Sequence, residues 1–254
     1  MADLTLNDEE LLRYSRQIML PRFDVAGQLA LKKSTVLIIG IGGLGCPVAL
    51  YLAGTGIGHL ILVDDDEVEI SNLPRQIAHT EKRLGDKKVD SAQQQIQALN
   101  SATKITTYAS RLSDSELDDL LEQVDVVADC TDNFSTRQQI NRFCFENKIP
   151  LVSGAAIRME GQITVFDARD SHSPCYHCLY SADIEQELTC SQNGVMSPLV
   201  GLIGSYQAIE VVKVLTNLGE PLVGRVQLFD GMTSQWREFK LIRDPKCAVC
   251  GNGK

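Results

Sequence analysis

The chain has 254 residues, of which 44% are hydrophobic, so it is long and apolar enough to form one large domain with a sizeable core. Its formal net charge of −9 and its isoelectric point near 5.0 exclude a global basic field. We therefore expect no nucleic-acid partner and no membrane partner, and any phosphate group must be bound by a few local cations.

Neither the amino-terminal residues nor the most apolar stretch of the chain indicates export or membrane insertion. The amino-terminal residues lack the cationic stretch and apolar segment of a secretory signal, so we expect a cytoplasmic protein. The most apolar stretch, residues 195–218, contains Gln207, Glu210 and Lys213. It is therefore predicted to be a buried helix and not a membrane span.

The first half of the chain alternates apolar strands with helices. Asn7 and Glu10 form a capping box that predicts a helix over residues 8–20. The predicted strands are 35–39, 59–63, 105–109 and 124–128, and the helices between them are 47–54, 87–99 and 113–122. Because the strands are continuously apolar, we expect a Rossmann-like α/β fold with a mainly parallel sheet and helices on both faces.

The pattern changes after Pro150. Strands are predicted at 151–153, 162–166, 225–229 and 235–241, and the polar stretch 170–193 is a candidate crossover loop. Ser197 and Pro198 start a long helix that Gly219 ends. We expect antiparallel strands to extend the sheet, and a single domain (1–254) that divides near residue 150 into a nucleotide-binding half and a second half.

A glycine-rich motif, GIGGLG at residues 40–45, follows the first predicted strand. The absent side chains of Gly40, Gly42 and Gly45 allow a tight turn, and the next helix offers free N–H groups to a phosphate. Asp64 follows the second strand, where a carboxylate can hydrogen-bond ribose hydroxyls. Both features fit NAD as well as ATP.

Local cations favour ATP over NAD. Arg75 lies in the loop 71–76 and Lys88 opens a helix, and a triphosphate needs more neutralising charge than a pyrophosphate bridge. Asp132 follows the fourth strand, where the crevice of an open parallel sheet is expected. Its carboxylate is placed to hold Mg²⁺.

Two Cys-X-X-Cys pairs, Cys175 with Cys178 and Cys247 with Cys250, predict a structural zinc site. Each pair spans one tight turn and presents two sulfurs to a single ion. Four thiolates leave no open position for water, so we expect no catalysis by this zinc. Unmetallated thiols are the alternative. The cysteines expected to be buried packing residues are Cys46, Cys130 and Cys144.

Several segments occur in a recognisable order. They are RYSRQ at 13–17, the glycine motif, DDD at 64–66, SNLPRQ at 71–76, CTDN at 130–133, SGAA at 153–156 and the paired cysteines. Together they resemble the bacterial MoeB/ThiF/HesA family, relatives of the ubiquitin-activating enzymes, over residues 11–251. The resemblance implies ATP-dependent adenylylation of the C-terminal glycine of a ubiquitin-like sulfur-carrier protein, with release of pyrophosphate.

The resemblance also implies roles for the matched residues. The expected nucleotide contacts are Gly40, Gly42, Gly43, Gly45, Asp64, Asp66, Ser71, Asn72, Arg75, Lys88, Thr131 and Asp132, the last with Mg²⁺. Arg75, Lys88 and Asp132 are expected to act in catalysis, together with Arg16. Arg16 is similar to an arginine that reaches into the ATP site of a partner subunit, which implies a homodimer. The paired cysteines resemble structural zinc ligands.

Two questions stay open: which carrier protein, expected to end in Gly-Gly, is the substrate, and whether the thiol of Cys190 takes part in the reaction. Residues 153–162 resemble the molybdopterin branch of the family, whereas 230–231 and 234–237 resemble the thiamine branch. We expect a molybdopterin-pathway carrier. Cys190 aligns with a cysteine that acts covalently in some members and is dispensable in others. An NAD-dependent oxidoreductase and a non-catalytic nucleotide-binding scaffold are the alternatives of another class.

Overall fold

A single sheet of eight strands forms the centre of the computed structural model, which describes residues 5–180 and 194–251. In chain order the strands are β1 (Thr35–Ile39), β2 (His59–Val63), β3 (Lys104–Tyr108), β4 (Val126–Asp129), β5 (Leu151–Ile157), β6 (Glu160–Phe166), β7 (Arg225–Asp230) and β8 (Gln235–Lys240). They lie in the order β3-β2-β1-β4-β5-β6-β7-β8. The first five pair in parallel, and β6 to β8 extend the sheet in antiparallel fashion, as predicted.

The helices of the described residues surround this sheet. They are α1 (Asp8–Arg13), α2 (Ser15–Ile18), α3 (Asp24–Lys33), α4 (Gly45–Thr55), α5 (Lys88–Leu99), α6 (Asp114–Leu121), α7 (Phe134–Glu146), α8 (Tyr176–Leu179) and α9 (Ser197–Thr216). The prediction of one helix over 8–20 is wrong, because the helix is interrupted at Tyr14, which separates α1 from α2. The ring of Tyr14 is buried, and its hydroxyl oxygen accepts a hydrogen bond from Asn100 Nδ2 at 2.9 Å.

Helices cover both faces of the parallel part, as expected. Alternate β1 side chains point to opposite sides. Val36 and Ile38 pack in the core beneath α4, α5 and α9, whereas Leu37 and Ile39 pack beneath α6 and α7. Burial on both faces explains the continuously apolar strands and fixes where each strand ends.

The helix α9 is long and apolar enough to cross a membrane by composition alone, but half of that window is buried in the protein. Gln207 and Glu210 are fully buried in it, which agrees with the predicted core helix. The helix starts at Ser197 with Pro198 in its first turn, as predicted, but it ends before Gly219. Met196 occupies the N-cap without a side-chain hydrogen bond, and Asn217 ends the helix with a φ of 54°.

Candidate active site

A crevice of about 1540 Å³ opens at the carboxyl ends of β1, β2 and β4. The predicted nucleotide residues that line it are Gly40, Gly42, Gly43, Asp64, Asp66, Ser71, Asn72, Arg75, Lys88, Thr131 and Asp132. Two predicted residues lie elsewhere. Gly45 is buried behind the loop, and Arg16 is exposed on α2, away from the crevice of its own chain.

The glycine motif forms a tight turn between β1 and α4. Gly40 has a φ of 90°, and a Cβ there would lie 2.7 Å from the carbonyl oxygen of Cys130. A Cβ on Gly45 would lie 1.9 Å from the carbonyl oxygen of Gly40. Gly45 therefore closes the turn by packing, while Gly42 and Gly43 face the crevice. A Cβ on Gly43 would meet Val200 of α9 at 3.0 Å.

Asp64 joins the glycine motif to the tip of β2. Its carboxylate accepts hydrogen bonds from the N–H of Ile41 at 2.7 Å and from the N–H of Asp66 at 2.9 Å. Burial raises the pKa of Asp64, although the charge of Lys88 and these two hydrogen bonds oppose that shift. The half-buried carboxylate still faces the crevice, where it can accept hydroxyl donors.

Lys88 is a buried cation held at the wall of the crevice. Its side chain is 6% exposed, and its Nζ lies 2.7 Å from a carboxylate oxygen of Asp66, which is 65% exposed. The exposed carboxylate thus neutralises a lysine that would otherwise be buried without a partner. We predicted Asp66 as a nucleotide contact, and in this structure it holds Lys88.

The loop 71–76 presents Arg75 beside the crevice through consecutive turns. The N–H groups of Arg75 and Gln76 both donate to the carbonyl oxygen of Asn72, at 3.1 and 3.0 Å. The guanidinium of Arg75 donates to the carbonyl oxygen of Ser71 at 2.9 Å. Pro74 in the same loop is exposed.

Gln76 is a site residue that sequence reasoning missed. It is 3% exposed and lines the crevice, and its Nε2 would lie 3.6 Å from a Cβ on Gly42. Its Oε1 is buried and accepts no hydrogen bond from any residue within 5–180 or 194–251. A buried acceptor without a hydrogen bond, beside the glycine motif, indicates that a donor group of a ligand or a water molecule binds to Gln76 there.

Two aspartates near the end of β4 have different roles: Asp129 stabilises the loop, and Asp132 faces the crevice. Asp129 is fully buried and accepts hydrogen bonds from the backbone and the hydroxyl of Thr131, at 3.1 and 2.7 Å. Ser153 donates to it at 3.2 Å, and Arg137 lies 4.0 Å away. These contacts fix the loop that carries Asp132, whose exposed carboxylate faces the crevice.

The crevice is also lined by arginines that were not among the predicted site residues: Arg111, Arg137, Arg142 and Arg237. Arg111 pairs with Asp65 at 2.9 Å, and Arg142 pairs with Asp114 at 2.7 Å. Eight carboxylate side chains line the crevice as well, so it has no overall positive charge: Asp64, Asp65, Asp66, Glu69, Asp114, Asp132, Glu160 and Asp230. A phosphate bound there depends on individual cations and not on a basic field.

The four paired cysteines come together although the pairs are distant in sequence. All four sulfurs lie within 4.8 Å of one another, with separations of 4.0 Å for Cys175–Cys178, 3.7 Å for Cys175–Cys247 and 3.3 Å for Cys178–Cys250. Tetrahedral zinc with Zn–S bonds of about 2.3 Å requires sulfurs roughly 3.8 Å apart. The donor set therefore fits zinc.

Second-sphere contacts support the cysteine cluster. The N–H of Asp244 donates to the sulfur of Cys178 at 3.4 Å, and the guanidinium of Arg243 donates to the carbonyl oxygen of Cys250. Hydrogen bonding with Cys175 lowers the pKa of Cys178, so a thiolate is favoured there. The cluster ties the end of the chain to α8.

The packing cysteines behave as expected, and one thiol cannot be placed. Cys46, Cys130 and Cys144 are buried, and burial raises the pKa of Cys46 to about 12 and raises the pKa values of the other two as well. Such thiols stay protonated and unreactive.

Cys190 lies outside the described residues, so its role stays a prediction.

Comparisons with known proteins agree with this geometry. A profile described as the ThiF family matches residues 14–249. The molybdopterin-synthase adenylyltransferase of Escherichia coli (strain K12) is 52% identical over 246 residues, which cover 97% of this chain and 98% of that protein. The adenylyltransferase and sulfurtransferase MOCS3 of Anopheles gambiae is 47% identical over 248 residues, covering 96% of this chain and 56% of that protein. The solved structure of selenomethionine PaaA superposes with a TM-score of 0.81 at 26% identity, covering 96% of this chain and 77% of that chain.

Proposed function

The chain belongs to the ThiF family, and on that premise we propose that it is an ATP-dependent adenylyltransferase of a ubiquitin-like sulfur-carrier protein. One observation carries the proposal: the glycine motif, Asp64, Lys88 and Asp132 meet in a single crevice. The relatives that match nearly the whole chain are named adenylyltransferases. This family argues against the NAD-dependent oxidoreductase and against a scaffold without catalysis.

ATP would lie along the crevice with its ribose near Asp64. The N–H groups of Gly42 and Gly43, which donate to no acceptor within residues 5–180 and 194–251, and the positive end of α4 favour the phosphates. Lys88 and Arg75 supply the positive charge that the triphosphate needs. The exposed carboxylate of Asp132 would hold Mg²⁺, because oxygen ligands beside phosphates suit that ion. When bound, Mg²⁺ neutralises phosphate charge.

The reaction needs no general base. A carboxylate oxygen of the carrier's C-terminal glycine attacks the α-phosphorus, and the bond from this phosphorus to the oxygen that bridges to the β-phosphate breaks. Pyrophosphate leaves with the bonding electrons. Because the attacking carboxylate is already ionised at neutral pH, no proton has to be removed. The residues of the chain therefore contribute by aligning two anions and by compensating their charge.

Lys88 and Arg75 are suited to different parts of that task. Lys88 is buried and paired with Asp66, so its position is fixed before ATP binds. Arg75 is half-buried, and within the described part of the chain its guanidinium donates only to the carbonyl oxygen of Ser71, so it can shift toward the phosphates. A fixed point charge with a planar arginine beside it stabilises charge that develops on the α-phosphate oxygens.

We further propose a homodimer in which Arg16 of one subunit completes the site of the other. Arg16 is exposed and lies away from its own crevice, so it acts on the nucleotide only if a second copy approaches. The side chains of Leu202 and Ile209 on α9 are 41% and 55% exposed. They lie seven positions apart and thus on one helical face, which is suited to contact another protein.

The remaining assignments follow from the same proposal. Zinc in the cysteine cluster would hold the carboxyl-terminal segment on α8 and would take no part in the reaction, since four sulfurs fill its coordination sphere. We place the enzyme in the cytoplasm. The division near residue 150 stays a prediction, with the carrier and the cysteine cluster assigned to residues 151–254.

The carrier is proposed to be the small subunit of molybdopterin synthase, for molybdenum cofactor biosynthesis, because the relatives at 50–52% identity are named molybdopterin-synthase adenylyltransferases. The thiamine-pathway carrier is the alternative. Offering both Gly-Gly-ended carriers in one competition, with ATP and labelled pyrophosphate, separates the two. Exchange that depends on the molybdopterin carrier supports the proposal, and exchange with the thiamine carrier alone would replace it.

A further inference from the structure

A buried histidine behind the glycine motif makes contacts that the reaction described above does not use. His79 is 5% exposed and lies in the segment between Gln76 and α5. One ring nitrogen, Nε2, lies 3.1 Å from the carbonyl oxygen of Ile41, and the other, Nδ1, lies 2.9 Å from the hydroxyl of Ser91. The ring thus connects the glycine motif with α5.

The partners define the protonation state of this ring. A carbonyl oxygen can only accept, so Nε2 carries the proton and donates to Ile41. Nδ1 is then the acceptor of the Ser91 hydroxyl. Burial lowers the pKa of His79, and the nearby charge of Lys88 lowers it further. The lowered pKa keeps the ring neutral at neutral pH, and in this neutral form Nδ1 accepts the hydrogen bond from the Ser91 hydroxyl.

The contact with Ile41 sets the orientation of one peptide group. In a trans peptide the C=O and the following N–H point in opposite directions. The carbonyl oxygen of Ile41 points inward to His79, and the sulfur of Cys46 lies 3.6 Å from it on the same side. The N–H of Gly42 must therefore point outward into the crevice. Among the described residues it has no hydrogen-bond acceptor.

The preceding peptide is held from the other side. The N–H of Ile41 donates to the carboxylate of Asp64 at 2.7 Å. Both peptide groups that flank Ile41 are thus fixed, and the side chain of Ile41 is fully buried. Two adjacent glycines would otherwise allow the peptide group that carries the Gly42 N–H to rotate. These contacts fix its orientation before a ligand binds.

The contact with Ser91 relates this peptide to a charged group. Ser91 and Lys88 are three residues apart on α5, so they lie on the same face of that helix. A hydrogen bond to Ser91 therefore places the first turn of α5, which carries Lys88, at a fixed distance from the glycine motif. The Gly42 N–H, a neutral donor, and the helix of the Lys88 cation are thus both held by the His79 ring.

We propose that His79 is a positioning residue that orients the Gly42 N–H toward the phosphates of ATP and couples the glycine motif to the helix of Lys88. The inference rests on the proposed function, because it assigns the bound anion to ATP. His79 touches no substrate atom. It acts through Ile41 and Ser91, and its loss should weaken ATP binding more than the later chemical step.

Two substitutions separate the donor role from simple packing. The amide nitrogen of His79→Gln can reach the place of Nε2 and donate to Ile41, whereas the amide of His79→Asn ends near the place of Nδ1 and cannot. Both variants remove the ring. The affinity for Mg-ATP without carrier is measured by titration calorimetry, alongside Tm and the separate KM and kcat values for pyrophosphate exchange.

We expect His79→Asn to raise the Kd and the KM for ATP roughly 2- to 10-fold, with a smaller change in kcat, and His79→Gln to restore wild-type ATP affinity. Equal affinities in both variants would overturn the proposal, even if both have a lowered Tm. If His79→Asn does not fold, Ser91→Ala tests the coupling, and an unchanged Kd in that variant would contradict it. A wild-type protein that binds ATP but exchanges no pyrophosphate would instead refute the proposed function.

Discussion

Replacing Gly45 with alanine tests whether the glycine motif is closed by direct backbone packing. The added Cβ would lie 1.9 Å from the carbonyl oxygen of Gly40 and 2.9 Å from its carbonyl carbon. Contact at about 3.4 Å requires the backbone to move by about 1.5 Å, and both atoms belong to rigid main chain. Overpacking of this kind costs about 1–3 kcal/mol, so we expect Tm to fall by roughly 2–10 °C.

The same movement should displace the N–H groups that face the crevice. Losing one hydrogen bond to a charged phosphate should raise the Kd for ATP by roughly 10- to 100-fold. Titration calorimetry with Mg-ATP and thermal denaturation measure the two effects. Gly54→Ala is the matched control on the same helix, because its Cβ would meet only Leu99, at 3.8 Å. We expect that control to keep its ATP affinity and to gain up to about 1 kcal/mol of stability. Wild-type affinity and Tm in Gly45→Ala would refute the reasoning.

Three further predictions test the metal cluster, the buried ring and the second subunit. Cys250→Ser should reduce bound zinc from about one ion per chain toward zero and lower Tm, as measured by native mass spectrometry and denaturation, whereas Cys144→Ser should keep its zinc. Burial lowers the pKa of His79 in the folded protein below its ordinary value of 6.5. The neutral ring therefore contributes its full share to the free energy of unfolding above pH 6.5, and this contribution is lost as the pH falls through the lowered pKa. Wild type should therefore lose more Tm than His79→Gln between about pH 7 and about pH 5, and parallel curves would contradict this. Arg16→Ala and Asp132→Ala should each abolish exchange, while mixing the two should restore about a quarter of the activity through dimers with one intact site. No recovery after verified subunit exchange would remove Arg16 from the partner's site.

The parallel centre of the sheet could be predicted because strands such as β1 and β2 are apolar on both sides. A continuous run such as residues 35–39 is required by burial between two layers of helices, and the alternation with helices implies parallel pairing. Of the three helices that were missed, α3, α7 and the short α8, the two longer ones were missed for local reasons. Gly27 lies inside α3 and weakens its helical pattern, yet a Cβ there would lie 2.6 Å from the ring of Phe23, so the glycine is needed for packing. Asn133 was read as part of a ligand motif although it also caps α7.

The crevice residues could be predicted only where they follow a strand or belong to a recognisable motif. Asp64 and Asp132 come after β2 and β4, and their position at one edge follows from parallel pairing. The supporting network could not be found in this way. Asp129 accepts a hydrogen bond from Ser153, 24 residues away, and His79 donates one to the carbonyl oxygen of Ile41, 38 residues away. These partners meet only once the sheet has formed.

The intact mass of the carrier after reaction tests the central claim most directly. With ATP, Mg²⁺ and a Gly-Gly-ended molybdopterin-pathway carrier, we expect the carrier to gain the mass of AMP less one water while pyrophosphate appears in equal amount. The Asp132→Ala variant should leave the carrier unmodified. A wild-type enzyme that binds ATP and the carrier, yet leaves the mass of the carrier unchanged, would contradict the account.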